Sequence, residues 1–213
     1  MKFNFLAIAV LFLVIGCNQG KPKQAQEQAK DTLAIRQTTT PQQQGLTETI
    51  NMVLKAYQNK DAATLNKLVN PAWGIYIVYR PGASDNFTII DSIDFKNPEP
   101  HYYEFEDFKT TATLSYAPLP TFDCGTEKWS KNGLFCDSTA NPTTLSQIAD
   151  FMQTYNEAKY SEDQLQKIKN IEKSSFRVIA TGEGYLSFIF QLTLLDGKWY
   201  LTLIDRAYGG CDA

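Results

Sequence analysis

The last third of the chain leaves the least choice of fold. It reads FRVIA, then TGEG, then YLSFIFQLTLL, then Asp196-Gly197, then KWYLTLID. Runs rich in β-branched and aromatic residues, separated by Gly-bearing turns, predict three antiparallel strands. Asp-Gly between such runs predicts a two-residue type I′ hairpin, because both central positions need positive φ. A two-residue loop pairs Leu195 with Lys198, and the register follows. Leu194 falls opposite Trp199, Leu192 opposite Leu201 and Phe190 opposite Leu203. Those six share one face, which the pattern assigns to the core. The same ladder puts Asp205 opposite Phe188, on the core face and near Tyr185. The other face carries Gln191, Thr193, Tyr200 and Thr202, which suit solvent or a partner.

Helical periodicity comes earlier. Leu46, Ile50, Val53, Leu54 and Tyr57 form one apolar stripe. Asp61 can cap a second, short helix with Ala62, Leu65, Leu68 and Val69 on its inner face, and Asn70-Pro71 stops it. Ile75 to Val78 starts strand-like sequence that ends at Pro81-Gly82. Phe87 to Ile90 and Tyr102 to Phe105 are further short strand candidates. Residues 96–142 are irregular and hold Pro98, Pro100, Pro118, Pro120 and Pro142. Leu145, Ile148, Met152 and Tyr155 mark a third helix. Ser161 with Gln164 makes a capping box for a fourth, whose stripe is Leu165, Ile168 and Ile171. The order predicts an α+β domain: helices on one side of a curved antiparallel sheet that ends in a C-terminal meander.

The segments AYQNKDAATLNKLVNPAWGIYI and DGKWYLTLID resemble the cone-shaped fold of nuclear-transport-factor-like proteins. That group includes ketosteroid isomerase, scytalone dehydratase and many binding modules without activity. The resemblance covers about a third of the chain, and the two helices within 143–172 depart from the usual order. It implies a concave face where a carboxylate among aromatic residues can act as a base. No family motif transfers residue by residue. Asp205 and Glu104 are therefore weak catalytic candidates, chosen on placement alone.

The chain opens MKFNFLAIAVLFLVIGC. Lys2 followed by the apolar run Leu6 to Ile15 has the make-up of a secretory signal and is too short to span a bilayer. Val14-Ile15-Gly16-Cys17 resembles the bacterial lipobox. That resemblance implies cleavage before Cys17 and acylation of its sulfur, and each buried methylene adds roughly 0.8 kcal/mol of anchoring. The whole chain also resembles lipoproteins of the Bacteroidota type. The expected organisation is a signal peptide over 1–16, a lipidated Cys17 with a tether over 17–45, and one α+β domain over 46–213. The tether is rich in Gln, Thr, Lys and Pro and too poor in apolar residues to fold. Asn18-Gln19-Gly20-Lys21 lacks the acidic signal that sends some lipoproteins to the cell surface. The expected location is thus the outer membrane of a Gram-negative bacterium, facing the periplasm.

Charge and motifs exclude several chemistries. Residues 46–213 carry 15 basic and 21 acidic side chains, an unsuitable balance for nucleic acid. No dinucleotide or P-loop glycine motif occurs, so no cofactor is expected. Gly182 and Gly184 belong to a hairpin turn. His101 is the only histidine, set among prolines, so a zinc site or a histidine-based triad has little to draw on. Glu104, Glu106 and Asp107 form an acidic group, where Glu104 and Glu106 would share a strand face. Asp91 and Asp94 are too few to bind calcium. An exported chain meets an oxidising compartment. After Cys17, three cysteines remain: Cys124, Cys136 and Cys211. An Asn132-Gly133 hairpin would set Trp129 opposite Cys136 and leave Cys124 roughly 17 Å further along an extended chain. The expected bridge is therefore Cys124–Cys211, with Cys124–Cys136 as the alternative. The function expected is a membrane-tethered module that binds a small molecule or a protein partner in the envelope. The alternatives are a cone-fold enzyme with a carboxylate acid–base group, or a structural envelope subunit.

Overall fold

The computed structural model describes residues 40–156 and 158–207. Helix α1 (Pro41–Gln58) begins inside the stretch expected to be tether. Thr40 caps it by accepting from the Gln43 N–H, and Pro41 fits the first turn, where its missing donor costs nothing. The predicted stripe of Leu46, Ile50, Val53, Leu54 and Tyr57 is buried. Helix α2 (Ala62–Asn66) is capped by Asp61.

Among the described residues, nine strands follow the helices or lie between them. They are β1 (Ile75–Tyr79), β2 (Asn86–Ile90), β3 (Leu114–Tyr116), β4 (Phe122–Asp123), β5 (Lys128–Trp129), β6 (Leu134–Cys136), β7 (Ser175–Thr181), β8 (Ser187–Leu195) and β9 (Lys198–Asp205). Helices α3 (Thr144–Tyr155) and α4 (Glu162–Glu172) precede β7. Seven strands form one open sheet in the order β2-β1-β9-β8-β7-β6-β3, and β4 pairs β5 separately. The β1–β9 and β3–β6 pairs are parallel and the rest antiparallel. The fold is α+β with a mixed, mostly antiparallel sheet. Tyr102 to Phe105, expected as a strand, lies outside any strand.

The meander matches its predicted register at first. Asp196 and Gly197 both have positive φ, 49° and 77°, and Leu194 faces Trp199 while Leu192 faces Leu201. A bulge then intervenes. Gln191 pairs with Leu203, which leaves Thr202 as the extra residue, and Phe190 pairs with Ile204. Because side chains alternate, the slip exchanges the two faces beyond it. Ile204 joins the core of Phe188, Phe190 and the α1 stripe. Leu203 joins the opposite core, with Leu145 and Ile148 of α3 and Ile168 and Ile171 of α4. Asp205 faces Ile189, not Phe188.

Helices therefore cover both faces of the sheet, not one. The face expected to meet solvent is buried: Gln191 and Thr193 are fully enclosed, and Thr202 nearly so. Its hydroxyls pair with one another. The Ser175 hydroxyl donates or accepts with Thr193 at 2.6 Å, and Thr193 does so with Thr202 at 2.7 Å. A ladder of short hydroxyls lets this polar-looking strand face pack under helices, with the buried Gln191 Oε1 the one oxygen of the face left without a hydrogen-bond partner among the described residues. Glu172, also buried, ties α3 to the end of α4. Its carboxylate accepts from the Leu145 and Ser146 N–H groups at 2.8 and 3.1 Å. It serves as the N-terminal cap that Thr143 does not provide. The Ser161–Gln164 capping box of α4 forms as predicted.

Candidate functional site

A cavity of about 780 Å³ opens at the end of the sheet where β8 starts and β9 stops. One wall is sheet: Ser187, Phe188, Ile204 and Arg206. Another is the end of α1, with Tyr57 and Lys60. The third is the irregular segment 95–107. That segment lacks ladder hydrogen bonds of its own, so side chains hold its backbone. The Lys60 ammonium donates to the carbonyls of Phe105 and Glu106 at 2.9 and 3.0 Å. The Tyr57 hydroxyl donates to Glu106 O at 3.1 Å. The Tyr103 hydroxyl donates to Arg80 O. Arg206 Nη1 donates to Glu99 O at 3.2 Å, while its own N–H donates to Val78 O, continuing the β1–β9 ladder by one rung.

Aromatic rings and cations alternate around this wall. Tyr57 stacks on Phe188 with centroids 3.7 Å apart. Lys60 Nζ lies 5.4 Å from the Tyr57 ring and 5.2 Å from Phe95. The Arg206 guanidinium lies 4.3 Å from Phe105 and 6.0 Å from Tyr103. Such contacts stabilise a cation that has left part of its water behind. Lys60 adopts positive φ, 53°, where the chain turns out of α1, and that turn aims its side chain back at segment 95–107. Its 3.1 Å contact with Asp107 contributes little, since Asp107 is 89% exposed. Burial raises the Tyr57 hydroxyl pKa above its ordinary value, against a smaller opposing pull from Arg206.

The sequence candidates separate. Glu104 sits on the cavity wall, exposed. Asp205 belongs to the same wall, but its carboxylate turns to the other face of the sheet. One oxygen meets Arg177 Nη2 and the other accepts from the Ala207 N–H at 3.0 Å. Arg177 Nη1 in turn donates to Thr144 Oγ1 on α3 at 2.7 Å. The bulge at Thr202 causes this reversal. His101 is exposed in a turn, edge-on to Tyr102. Asp94 closes its own turn with Lys96 N–H and Asn97. Among the described residues no three His, Cys, Asp or Glu side chains gather as a metal site.

The cysteine region departs from expectation. The turn falls at 124–127, between β4 and β5, where Phe122 faces Trp129. Asn132-Gly133 makes no hairpin; β6 beyond it pairs with β3 and β7. Cys124 is disulfide-bonded. Cys136 is a free thiol, wholly buried in the core, so the alternative Cys124–Cys136 bridge is not made. Cys17 and Cys211 lie outside the described residues.

Lys60, Tyr57, Phe105 and Arg206 carry the site, and none of them stood out in the sequence. Tyr57 entered only as part of the helical stripe and Phe105 only as the end of a strand candidate. A second, smaller cavity of about 220 Å³ lies between the 83–85 loop and α3, beside Thr144 and Phe151. Taken together, fold and site define an α+β domain with helices on both sheet faces and a polar, aromatic cavity at one sheet end. No known protein family, curated protein or solved structure matches the chain.

Proposed function

We propose that the protein is a lipid-anchored module of the bacterial cell envelope that binds a small molecule in the cavity walled by segment 95–107. The cavity carries this reading. Its volume of about 780 Å³ falls in the range usual for small-ligand sites, and its wall mixes aromatic rings with a few fixed polar groups. The anchor is acylated Cys17, supported by the lipobox-like Val14-Ile15-Gly16-Cys17 and the apolar run before it. Replacement of Cys17 by Ser would abolish labelling with radioactive palmitate and leave the signal segment uncleaved. Retained labelling contradicts the anchor. The sheet is of the cone kind in this reading; α1 and α2 pack on one face, next to the cavity.

The binding reading is tested with N-phenyl-1-naphthylamine, a neutral probe that brightens out of water. Its fluorescence rises on titration into the full chain, and Ser187→Trp, which fills the sheet wall, removes the rise. An equal rise with both proteins rejects the cavity as the site. The enzyme alternative has less support, because the Asp205 carboxylate turns away from the cavity and both its oxygens are occupied, by Arg177 and Ala207.

A further inference from the structure

We infer that Lys60 is a latch and segment 95–107 a strap, which opens as a unit while the sheet stays folded. The inference concerns the free chain and holds whatever the cavity binds. It starts from a backbone conformation. The Lys60 N–H donates to Tyr57 O at 3.0 Å and the Asp61 N–H to Ala56 O at 2.8 Å. Those paired bonds close a helix on a residue in the left-handed region, here Lys60 with φ 53°. Glycine is the usual residue at that place, because a Cβ is strained there. A lysine persists at such a position when its surroundings compensate for the strain. Here the side chain does so. Its ammonium donates to the Phe105 and Glu106 carbonyls at 2.9 and 3.0 Å and lies over the Tyr57 and Phe95 rings.

The strap has firm ends and a loose middle. Ile93 is buried, and the Asn66 side chain bonds both its N–H and its carbonyl, at 2.7 and 3.0 Å. Phe108 is buried in the same core. Between these anchors only Phe105 is buried, and among the described residues no strand pairs with 95–107. Side chains make the ties instead. Tyr57 and Lys60 reach it from the end of α1, Arg206 holds Glu99 O, and the Tyr103 hydroxyl reaches Arg80 O. Lys60 grips two successive carbonyls beside the one buried ring, where the strap enters the core. Release of those bonds breaks no rung of the sheet, so the strap can open at lower cost than the domain unfolds. The sheet wall of Ser187, Phe188 and Ile204 stays in place, and the strap decides whether the cavity is closed on its third side.

Limited proteolysis of the full, folded chain with chymotrypsin tests this at the bond after Phe105, which the protease reaches when the strap lifts. The initial cleavage rate follows the open population when opening and closing are fast. Lys60→Gly removes the latch and relaxes the backbone together. It should speed that cleavage about tenfold and leave the urea midpoint close to that of the wild type. Lys60→Met removes the latch and keeps the strain, so it should give the same acceleration with a lower midpoint. Lys60→Arg keeps a cation with N–H donors and should stay within about twofold of the wild-type rate. Cleavage after Phe105 at the wild-type rate in both Lys60→Gly and Lys60→Met overturns the latch. Cuts after Phe188 and Phe190 that accelerate in step with the cut after Phe105 overturn the strap, because the sheet would then be opening with it.

Discussion

Arg177 on β7 and Asp205 on β9 form an ion pair across the intervening strand β8, beneath helix α3. Their side chains are 18% and 8% exposed, so the pair is largely out of water. Removal of one partner leaves the other charge buried and unmatched. Arg177→Met should lower stability by about 3 kcal/mol, read as a drop in urea midpoint at constant slope. Asp205→Asn keeps an acceptor for the Ala207 N–H and should cost less than Arg177→Met. Equal costs would mean that the bond to Ala207 adds nothing.

Glu172 offers a second test of how the α3–α4 side is held. Its carboxylate is the acceptor for the first N–H groups of α3. Glu172→Ala should cost about 2 kcal/mol, and Glu172→Gln about half of that, since the amide oxygen can still accept. Helicity lost by circular dichroism in the Ala variant alone would accord with local fraying of α3.

Burial pushes the Cys136 thiol from 9.0 up to about 12. Burial pushes Tyr76 from 10.0 up to about 12 in the same direction. Between those limits the folded chain holds protons that the unfolded chain has lost. Stability from these groups is full below about pH 9 and declines towards pH 12. Urea midpoints at pH 8 and pH 10.5 should show the loss, and Cys136→Ala should flatten it despite a lower starting stability. The wild-type thiol should also stay unreactive to a disulfide reagent until urea unfolds the chain. Immediate reaction in buffer would contradict the burial.

Cys124 is bonded and Cys136 is not. Peptide mapping without reductant is expected to recover a peptide pair joining Cys124 to Cys211. A pair joining Cys124 to Cys136 would contradict the described core, and a pair with Cys17 would contradict acylation of that residue.

Local rules written in the residues set the helices and the meander. The stripe from Leu46 to Tyr57, the caps at Asp61 and Ser161, and the Asp196-Gly197 turn each depend on neighbours a few positions away. The bulge at Thr202 could not be read this way. It is fixed by what each face packs against, and Thr202 is held by Thr193 on β8. One inserted residue moved Asp205 away from the cavity side and placed Ile204 there. The buried face misled for a related reason: Gln191, Thr193 and Thr202 look like a wet surface until the Ser175, Thr193 and Thr202 hydroxyls find each other and Thr202 donates to the Gln191 carbonyl. Of the cavity, the acidic group at 104–107 was visible, while Tyr57, Lys60 and Arg206 were not. They meet only because long-range contacts fold segment 95–107 against α1 and the end of β9.

The central claim is that this cavity is where a ligand sits. Amide chemical-shift mapping with N-phenyl-1-naphthylamine tests it most directly. The account predicts that perturbed amides cluster at 95–107, at Ser187 and Phe188, and at 204–206, with α3 unchanged. Shifts centred on 83–85 and 144–151, beside the smaller cavity, or no shifts at saturating probe, would contradict it.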